Sequence, residues 1–307
     1  MNYYLGIDGG GSKSKAVLCD KNLEMLSSFQ AGPSNFLKVG LRDAAKEIMS
    51  LISAATNDLK GSQQNLAVVI GTAGAGRKEN VEDFTEALNK EAKKKRINLK
   101  NIFITGDINI TLHGAFEENE GLILIVGTGS IIYGRTKSGN EIRKGGFGRL
   151  IGDEGSGYSI GKRTINFLSR SFDGRIIPTP FFDFLTNRLK ITDSPTLINS
   201  IYKNNYEISQ AAALTIEAAE LGMREAEQIL SEESDELIVL IGSSLNEFSS
   251  KSIKLCLSGG LIENENIYRR MLIEKINKYF PQVKLTEPKH SPEFGAVLMA
   301  KELFGDK

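Results

Sequence analysis

Three acidic residues and two glycine runs hold most of the chemistry this sequence can do. In Gly6-Ile7-Asp8-Gly9-Gly10-Gly11-Ser12-Lys13 an acid directly precedes three consecutive glycines, and a hydroxyl and an ammonium directly follow them. A hairpin turn needs one or two glycines. Three in succession, without Cβ atoms, let backbone N–H groups face phosphate oxygens. Ser12 and Lys13 add donors, and Asp8 can reach Mg²⁺ through water. The run joins two strands, so it is neither a Walker A loop nor a GxGxxG dinucleotide loop. Gly127-Thr128-Gly129-Ser130 repeats the pattern at the same place in the second half. Two such hairpins facing each other across a cleft would hold a triphosphate from both sides, although either one alone could be a simple tight turn.

Asp107 follows Gly106 at the end of an apolar strand. An acid there is ordinarily a helix cap. In the same half as the first loop, and at the carboxyl end of a strand, it is also placed to be a catalytic base. The segment Gly145-Gly146-Phe147-Gly148-Arg149-Leu150-Ile151-Gly152-Asp153-Glu154-Gly155-Ser156-Gly157 sets carboxylates among close-approach glycines. A carboxylate accepts two hydroxyl donors, which suits a hydroxyl-rich ligand; the plainer alternative is that Asp153 caps the next helix. Leu257-Ser258-Gly259-Gly260-Leu261 is a strand running into a glycine pair, fit for a nucleoside lying against backbone or for an ordinary strand–helix turn.

The elements that must hold these residues follow from hydrophobic period and turn chemistry. Residues 3–8, 14–20 and 23–29 read as an antiparallel meander. They are followed by a helix over 41–58, a strand over 66–70, a helix over 79–95, a strand over 102–105 and a helix capped by Asp107 through Phe116. The plan restarts with strands at 122–126, 130–136 and 141–144 and a helix over 155–172. Short helices are expected within 173–211, then helices over 212–231 and 234–249, a strand at 254–257, a helix over 265–279 and a last helix opened by Ser291-Pro292. Two copies of one architecture are therefore expected, divided near Glu117–Glu120. The basic run Lys90–Arg96 reads as the solvated end of a helix.

Composition narrows the function classes. The 307 residues are enough for two domains. Lys+Arg and Asp+Glu are both 38, so a nucleic-acid partner is not expected. No apolar run approaches the ~18 residues that span a bilayer, and the N-terminus has no signal-peptide pattern. A cytoplasmic protein without a membrane partner is expected. Cys19 and Cys256 are far apart and read as buried thiols. With two histidines a His-rich zinc site is not expected. Gly is abundant at 31 residues and Pro scarce at 7, which speaks for ligand-approaching loops rather than linkers.

The order DGGGSK, GD, GTGS, GGFGRLIGDEGSG, LSGGL and PEFGA resembles the BadF/BadG/BcrA/BcrD ATPase family, over essentially the whole chain, and most resembles its N-acetylglucosamine kinase branch within the actin-like and sugar-kinase ATPases. The resemblance implies an α/β protein of two RNase H-like domains with an active-site cleft between them. Residues 1–117 would form the first, completed by a returning C-terminal helix at 292–307, and 118–291 the second. It implies ATP and Mg²⁺ as cofactors, an amino sugar as the small-molecule partner and a homodimer. Asp8 matches the Mg²⁺-linked acid, and Gly10, Gly11, Ser12 and Lys13 match the first phosphate loop. Gly127, Thr128, Gly129 and Ser130 match the second. Asp107 matches the catalytic base. Asn35, Gly146, Phe147 and Asp153 match sugar contacts, with Thr128 facing the sugar as well. Gly259 and Gly260 match the adenosine loop, and Ala219 and Gly222 the adenine pocket. Ser12 stands where Thr is common; Phe147 stands where animal-type relatives have Trp, and Gly222-Met223 where Gly-Asp is frequent, departures that fall on the sugar and base contacts rather than on the chemistry.

The expected activity is ATP-dependent phosphorylation of N-acetylglucosamine, N-acetylmuramic acid or glucosamine at the 6-hydroxyl. An anomeric hydroxyl of N-acetylmuramic acid is an open alternative. Two rivals belong to other classes. One is an ATP-driven electron-transfer activator of an acyl-CoA dehydratase or benzoyl-CoA reductase, which needs cysteines placed to bridge an iron–sulfur cluster. The other is a non-catalytic actin-like ATP-binding protein.

Overall fold

The computed structural model describes residues 3–59, 66–75, 78–117 and 119–305. Glu118, at the expected domain boundary, and residues 306–307, at the end of the expected last helix, lie outside them. The chain divides into two compact units, Met1–Asn119 with Glu287–Lys307, and Glu120–Thr286.

Unit 1 is built on a five-stranded sheet of order β3-β2-β1-β4-β5. β1 (Tyr3–Gly9), β2 (Ser14–Asp20) and β3 (Met25–Ala31) form the antiparallel meander, and β4 (Leu66–Thr72) and β5 (Ile102–Thr105) run parallel to β1. Alternation sorts the side chains to two faces. Leu5, Ile7, Leu18, Val68 and Ile70 pack with the apolar stripe of α2 (Leu41–Asp58) and with Phe84 and Leu88 of α3 (Lys78–Lys95). Tyr4, Val17, Cys19, Ala67 and Val69 pack with α4 (Asp107–Phe116) and α11 (Pro292–Phe304). Glycines permit that second layer. A Cβ on Gly6 would lie 2.1 Å from Glu293 O, and one on Gly295 would lie 2.0 Å from Ile110 O, so α11 presses on the backbones of β1 and α4. The one-turn helix α1 (Phe36–Val39) was not foreseen from the sequence.

Unit 2 repeats the order as β10-β9-β6-β7-β8. β6 (Gly121–Val126), β7 (Ser130–Arg135) and β8 (Glu141–Gly145) are antiparallel, and β9 (Ile253–Ser258) and β10 (Val283–Leu285) run parallel to β6. α5 (Gly157–Phe172), α6 (Pro180–Leu189), α7 (Ser194–Tyr202), α8 (Ala211–Glu220), α9 (Arg224–Leu245) and α10 (Ile267–Tyr279) complete it.

The helix break expected near residue 232 falls instead at Leu221-Gly222-Met223. Gly222 adopts φ +79°, and its N–H donates to Ala219 O at 2.9 Å while Met223 N–H donates to Ala218 O at 3.1 Å. This is the left-handed stop that a glycine supplies at a helix end. Glu233 and Ser234 then lie in the middle of a helix, both buried. Three-residue β10 is too short to show a period.

Candidate active site

Unit 1 gathers its site residues at the carboxyl ends of β1, β4 and β5, the edge where open α/β sheets bind ligands. Asp8 sits one residue from the end of β1, in register with Lys15 on β2 and Gly71 on β4. Burial, then the charges of Glu293 and Asp107, push its carboxyl from 3.8 to about 6, against the pull of Lys15. The loop after it is tied down from inside: Gly10 O accepts the N–H groups of Ser34 at 3.0 Å and Asn35 at 3.2 Å. The Thr72 hydroxyl lies 3.3 Å from both Gly9 O and Ser34 O, and the buried hydroxyls of Ser14 and Ser34 pair at 2.6 Å. Ser12 and Lys13 stand exposed at the tip, and Lys38 brings a further ammonium beside Gly11.

Asp107 does not cap its helix. Gly106 occupies that position and Asp107 is the first helical residue. Its Oδ1 accepts the Ile108 N–H at 3.0 Å. Burial holds its carboxyl above the ordinary aspartate range, opposed by that hydrogen bond and its own backbone N–H. Asn35 is the N-cap of α1, its Oδ1 accepting the Leu37 N–H at 3.1 Å. Its side-chain oxygen is thus held by the helix while its NH₂ remains a donor.

Unit 2 gathers its residues at the carboxyl ends of β6 and β9. Each carbonyl of the Gly127–Ser130 loop accepts an N–H: Gly127 O from Gly157 at 2.8 Å, Thr128 O from Tyr158 at 3.1 Å, Gly129 O from Gly127 at 2.9 Å and Ser130 O from Gly146 at 3.0 Å. An anion approaching the loop meets no unsatisfied carbonyl. The Ser130 hydroxyl donates to Glu154 O at 2.6 Å, so its proton serves the fold. Asp153 is 9% exposed and adopts φ +64°, a left-handed conformation an aspartate enters only when its surroundings hold it there. Its Oδ1 accepts the Gly148 N–H at 3.3 Å, and a Cβ on Gly129 would lie 2.7 Å from its Oδ2. Asp153 caps no helix. The α5 N-cap is Ser156, whose hydroxyl oxygen accepts the Ser159 N–H at 3.2 Å.

Phe147 projects into solvent at 68% exposure, with the Arg143 guanidinium 5.8 Å from its ring centre and bonded to Gly146 O at 2.8 Å. Gly259, at φ +99°, lies so close to Val126 O that a Cβ would be 2.4 Å away, which brings the third loop against the second. Gly260 faces open space. Ala219 is buried in the unit 2 core.

Sequence reasoning missed Ser14, Ser34 and Thr72, which carry no motif and act through distant backbone. It also missed Glu293, which reaches Asp8 from a helix nearly 300 residues away in the chain. The PEFGA motif that contains it was the only signal available. Among the described residues no group of three or more His, Cys, Asp or Glu side chains is close enough to hold a metal ion directly. No helix among them is long and apolar enough to cross a membrane.

The family model of the BadF/BadG/BcrA/BcrD ATPases matches residues 5–300. The chain is 34% identical over 310 residues to the N-acetylmuramic acid/N-acetylglucosamine kinase of Clostridium acetobutylicum, covering 98% of this chain and 99% of that one. It is 27% identical over 317 residues to the N-acetyl-D-glucosamine kinase of Dictyostelium discoideum, covering 97% of each. The fold matches that of a candidate N-acetylglucosamine kinase from Chromobacterium violaceum with a TM-score of 0.72 at 21% identity, over 98% of this chain and 99% of that one. The α/β plan of two five-stranded sheets is thus shared with that solved structure.

Proposed function

The chain belongs to the BadF/BadG/BcrA/BcrD ATPase family, and from that premise we propose that it is an ATP-dependent amino-sugar kinase that phosphorylates N-acetylglucosamine or N-acetylmuramic acid at the 6-hydroxyl. The observation that carries the reading is Asp107: a partly desolvated carboxylate in the first turn of a helix, close enough to Asp8, beside a phosphate-type loop, for its charge to push the Asp8 carboxyl up.

Asp107 accepts the proton of the attacking hydroxyl. Its raised affinity for a proton makes it a better base than a solvated aspartate, and the Ile108 N–H fixes which oxygen is held. Phosphoryl transfer asks mainly for positioning and neutralised charge. Gly10, Gly11, Ser12 and Lys13 in unit 1, and Gly127, Thr128 and Gly129 in unit 2, are the residues that would hold the phosphates of ATP. Gly259, Gly260 and Ala219 would receive its nucleoside. Asp8 suits Mg²⁺ held through water: it is a partly buried carboxylate with two acidic neighbours and one lysine, a site short of positive charge. Bound there, Mg²⁺ would neutralise the charge that develops on the phosphates. Asn35, Gly146, Phe147 and Asp153 would read the sugar, Asp153 by accepting hydroxyl donors on a carboxylate already fixed by Gly148.

The iron–sulfur rival needs accessible thiolates. Cys19 and Cys256 are both 0% exposed, and burial pushes the Cys19 thiol up to about 11. Neither is suited to a cluster bridging two subunits.

An ATP-consumption assay over a panel of amino sugars, with the product located by NMR, tests the proposal. Turnover with N-acetylglucosamine or N-acetylmuramic acid and a 6-phosphate product support it. ATP binding without sugar-stimulated turnover would leave the non-catalytic reading.

A further inference from the structure

Glu233 is the most deeply buried acid among the described residues, 3% exposed in the middle of α9, and no part of the chemistry above uses it. A buried carboxylate is costly unless donors surround it. Here one oxygen accepts the Gly155 N–H at 2.7 Å. The other accepts the Ser159 hydroxyl at 2.9 Å and lies 3.5 Å from the Arg163 guanidinium. Arg163 also pairs with Glu232 on the next position of α9.

The same glycine is gripped from its other side. The hydroxyl of fully buried Tyr268, on α10, donates to Gly155 O at 2.7 Å. Gly155 has φ +76°, and a Cβ there would lie 2.4 Å from Leu237 Cγ, so α9 packs directly on this backbone. Two helices, α9 and α10, therefore converge on one residue of a loop. That residue stands two places after Asp153 and two before Gly157, whose N–H orients the Gly127 carbonyl. The intervening Glu154 carbonyl takes the Ser130 hydroxyl. Fixing Gly155 fixes the loop on both sides of it.

We propose that Glu233 is a positioning residue: through Gly155 it holds Asp153 and the Gly127–Ser130 loop in one working arrangement, with Tyr268 as its counterpart on the opposite side of the same residue. Glu233 fits this role because its two oxygens face three donors at once, the Gly155 N–H, the Ser159 hydroxyl and the Arg163 guanidinium. The proposal rests on the kinase reading for its catalytic consequence but not for the clamp itself.

The test uses full-length Glu233→Gln, Tyr268→Phe and the double variant. Glu233→Gln conserves shape but sets an amide NH₂ against one of the three donors. Tyr268→Phe removes one hydroxyl and no packing. Each should lower kcat/KM for N-acetylglucosamine by about tenfold, chiefly through the sugar KM, as expected when a site loses its alignment. The assay is run well below each variant's melting temperature. Amide hydrogen exchange over residues 145–158 should quicken at least as much, while exchange in α2 and α3 of unit 1 stays at the wild-type rate. Lower melting temperature with wild-type sugar KM and unchanged exchange over 145–158 would make Glu233 a purely structural acid and overturn the proposal. If Glu233→Gln does not fold, Tyr268→Phe decides by the same two measurements. If wild-type protein phosphorylates no amino sugar, the kinase reading falls by itself, and local exchange in the variants still upholds or overturns the clamp.

Discussion

Asp8→Asn should separate stability from activity in opposite directions. The Asp8 carboxyl is pushed from 3.8 to about 6, first by burial and then by the charges of Glu293 and Asp107. Its folded-state affinity for a proton exceeds the unfolded one, so its stabilising contribution is complete below pH 3.8 and is lost as pH rises through about 6. At pH 8 the ionised side chain costs the fold about 3 kcal/mol, from a shift of about two pKa units at 1.36 kcal/mol each. Its partial exposure makes about 1–3 kcal/mol the working range. Asparagine has the same shape and no charge. The variant should therefore melt roughly 2–12 °C above wild type at pH 8, taking about 2–4 °C per kcal/mol for a domain of this size. By pH 4.5 the gain should shrink to about a third, because wild type is by then mostly protonated in the fold. Melting curves at the two pH values, in chelator and without nucleotide, measure this directly. An equal or lower melting temperature at pH 8, or a gain of the same size at pH 4.5, would refute the charge argument. Under the proposed mechanism, Mg²⁺-dependent turnover in the same variant should collapse while sugar affinity measured by calorimetry stays near wild type.

Asp107→Asn should retain sugar and ATP binding and lose about 10²–10⁴ in kcat, the range for a missing general base; turnover within a few-fold of wild type would remove it from that role. Asp153→Ala should cost about 2–4 kcal/mol in sugar kcat/KM, with the KM for ATP nearly unchanged, as charged hydrogen bonds are lost. Normal sugar kinetics in that variant would take Asp153 out of the site. Gly295→Ala should lower stability by more than about 2 kcal/mol, since its Cβ would lie 2.0 Å from Ile110 O; a wild-type melting temperature would contradict the close packing of α11. Cys19, with its thiol near 11, should react with maleimide at pH 7 only as fast as the protein unfolds. Labelling at the rate of a free thiol would show that it is accessible.

Much of the fold was legible because it is written in short-range patterns. The two meanders announce themselves by alternating apolar residues and glycine-bearing turns, and α2 and α5 by their periods. The motif glycines and acids were legible for the same reason, each being a local cluster. Two kinds of feature were not. The α8–α9 break rests on one left-handed glycine inside a stretch rich in good helix formers, and the boundary expected between residues 231 and 234 lies inside α9, where Glu233 finds donors on another element. The supports of the site, Ser14, Ser34, Thr72, Glu233 and Tyr268, were invisible for a different reason, and Glu293 showed only as a letter of PEFGA. Each is an ordinary residue in an ordinary place, and only the folded chain brings its partner, often dozens of positions away, within reach.

Because unit 1 is completed only by α11, the order in which the chain is made differs from the order in which its parts can be finished. Tyr4, Val17, Val69 and Ile110 wait for Ala296, Val297 and Ala300 to cover them. At roughly 5–20 residues per second, a ribosome that has made Phe116 needs on the order of 10–40 s to reach Phe304. The whole of the contiguous unit 2 is synthesised in that interval and can fold first. The nascent first unit meanwhile shows one apolar face of its sheet to the cell, a surface that chaperones bind and proteases exploit. A chain whose translation stops anywhere before α11 keeps that face open for good, so incomplete products carry their own mark for removal.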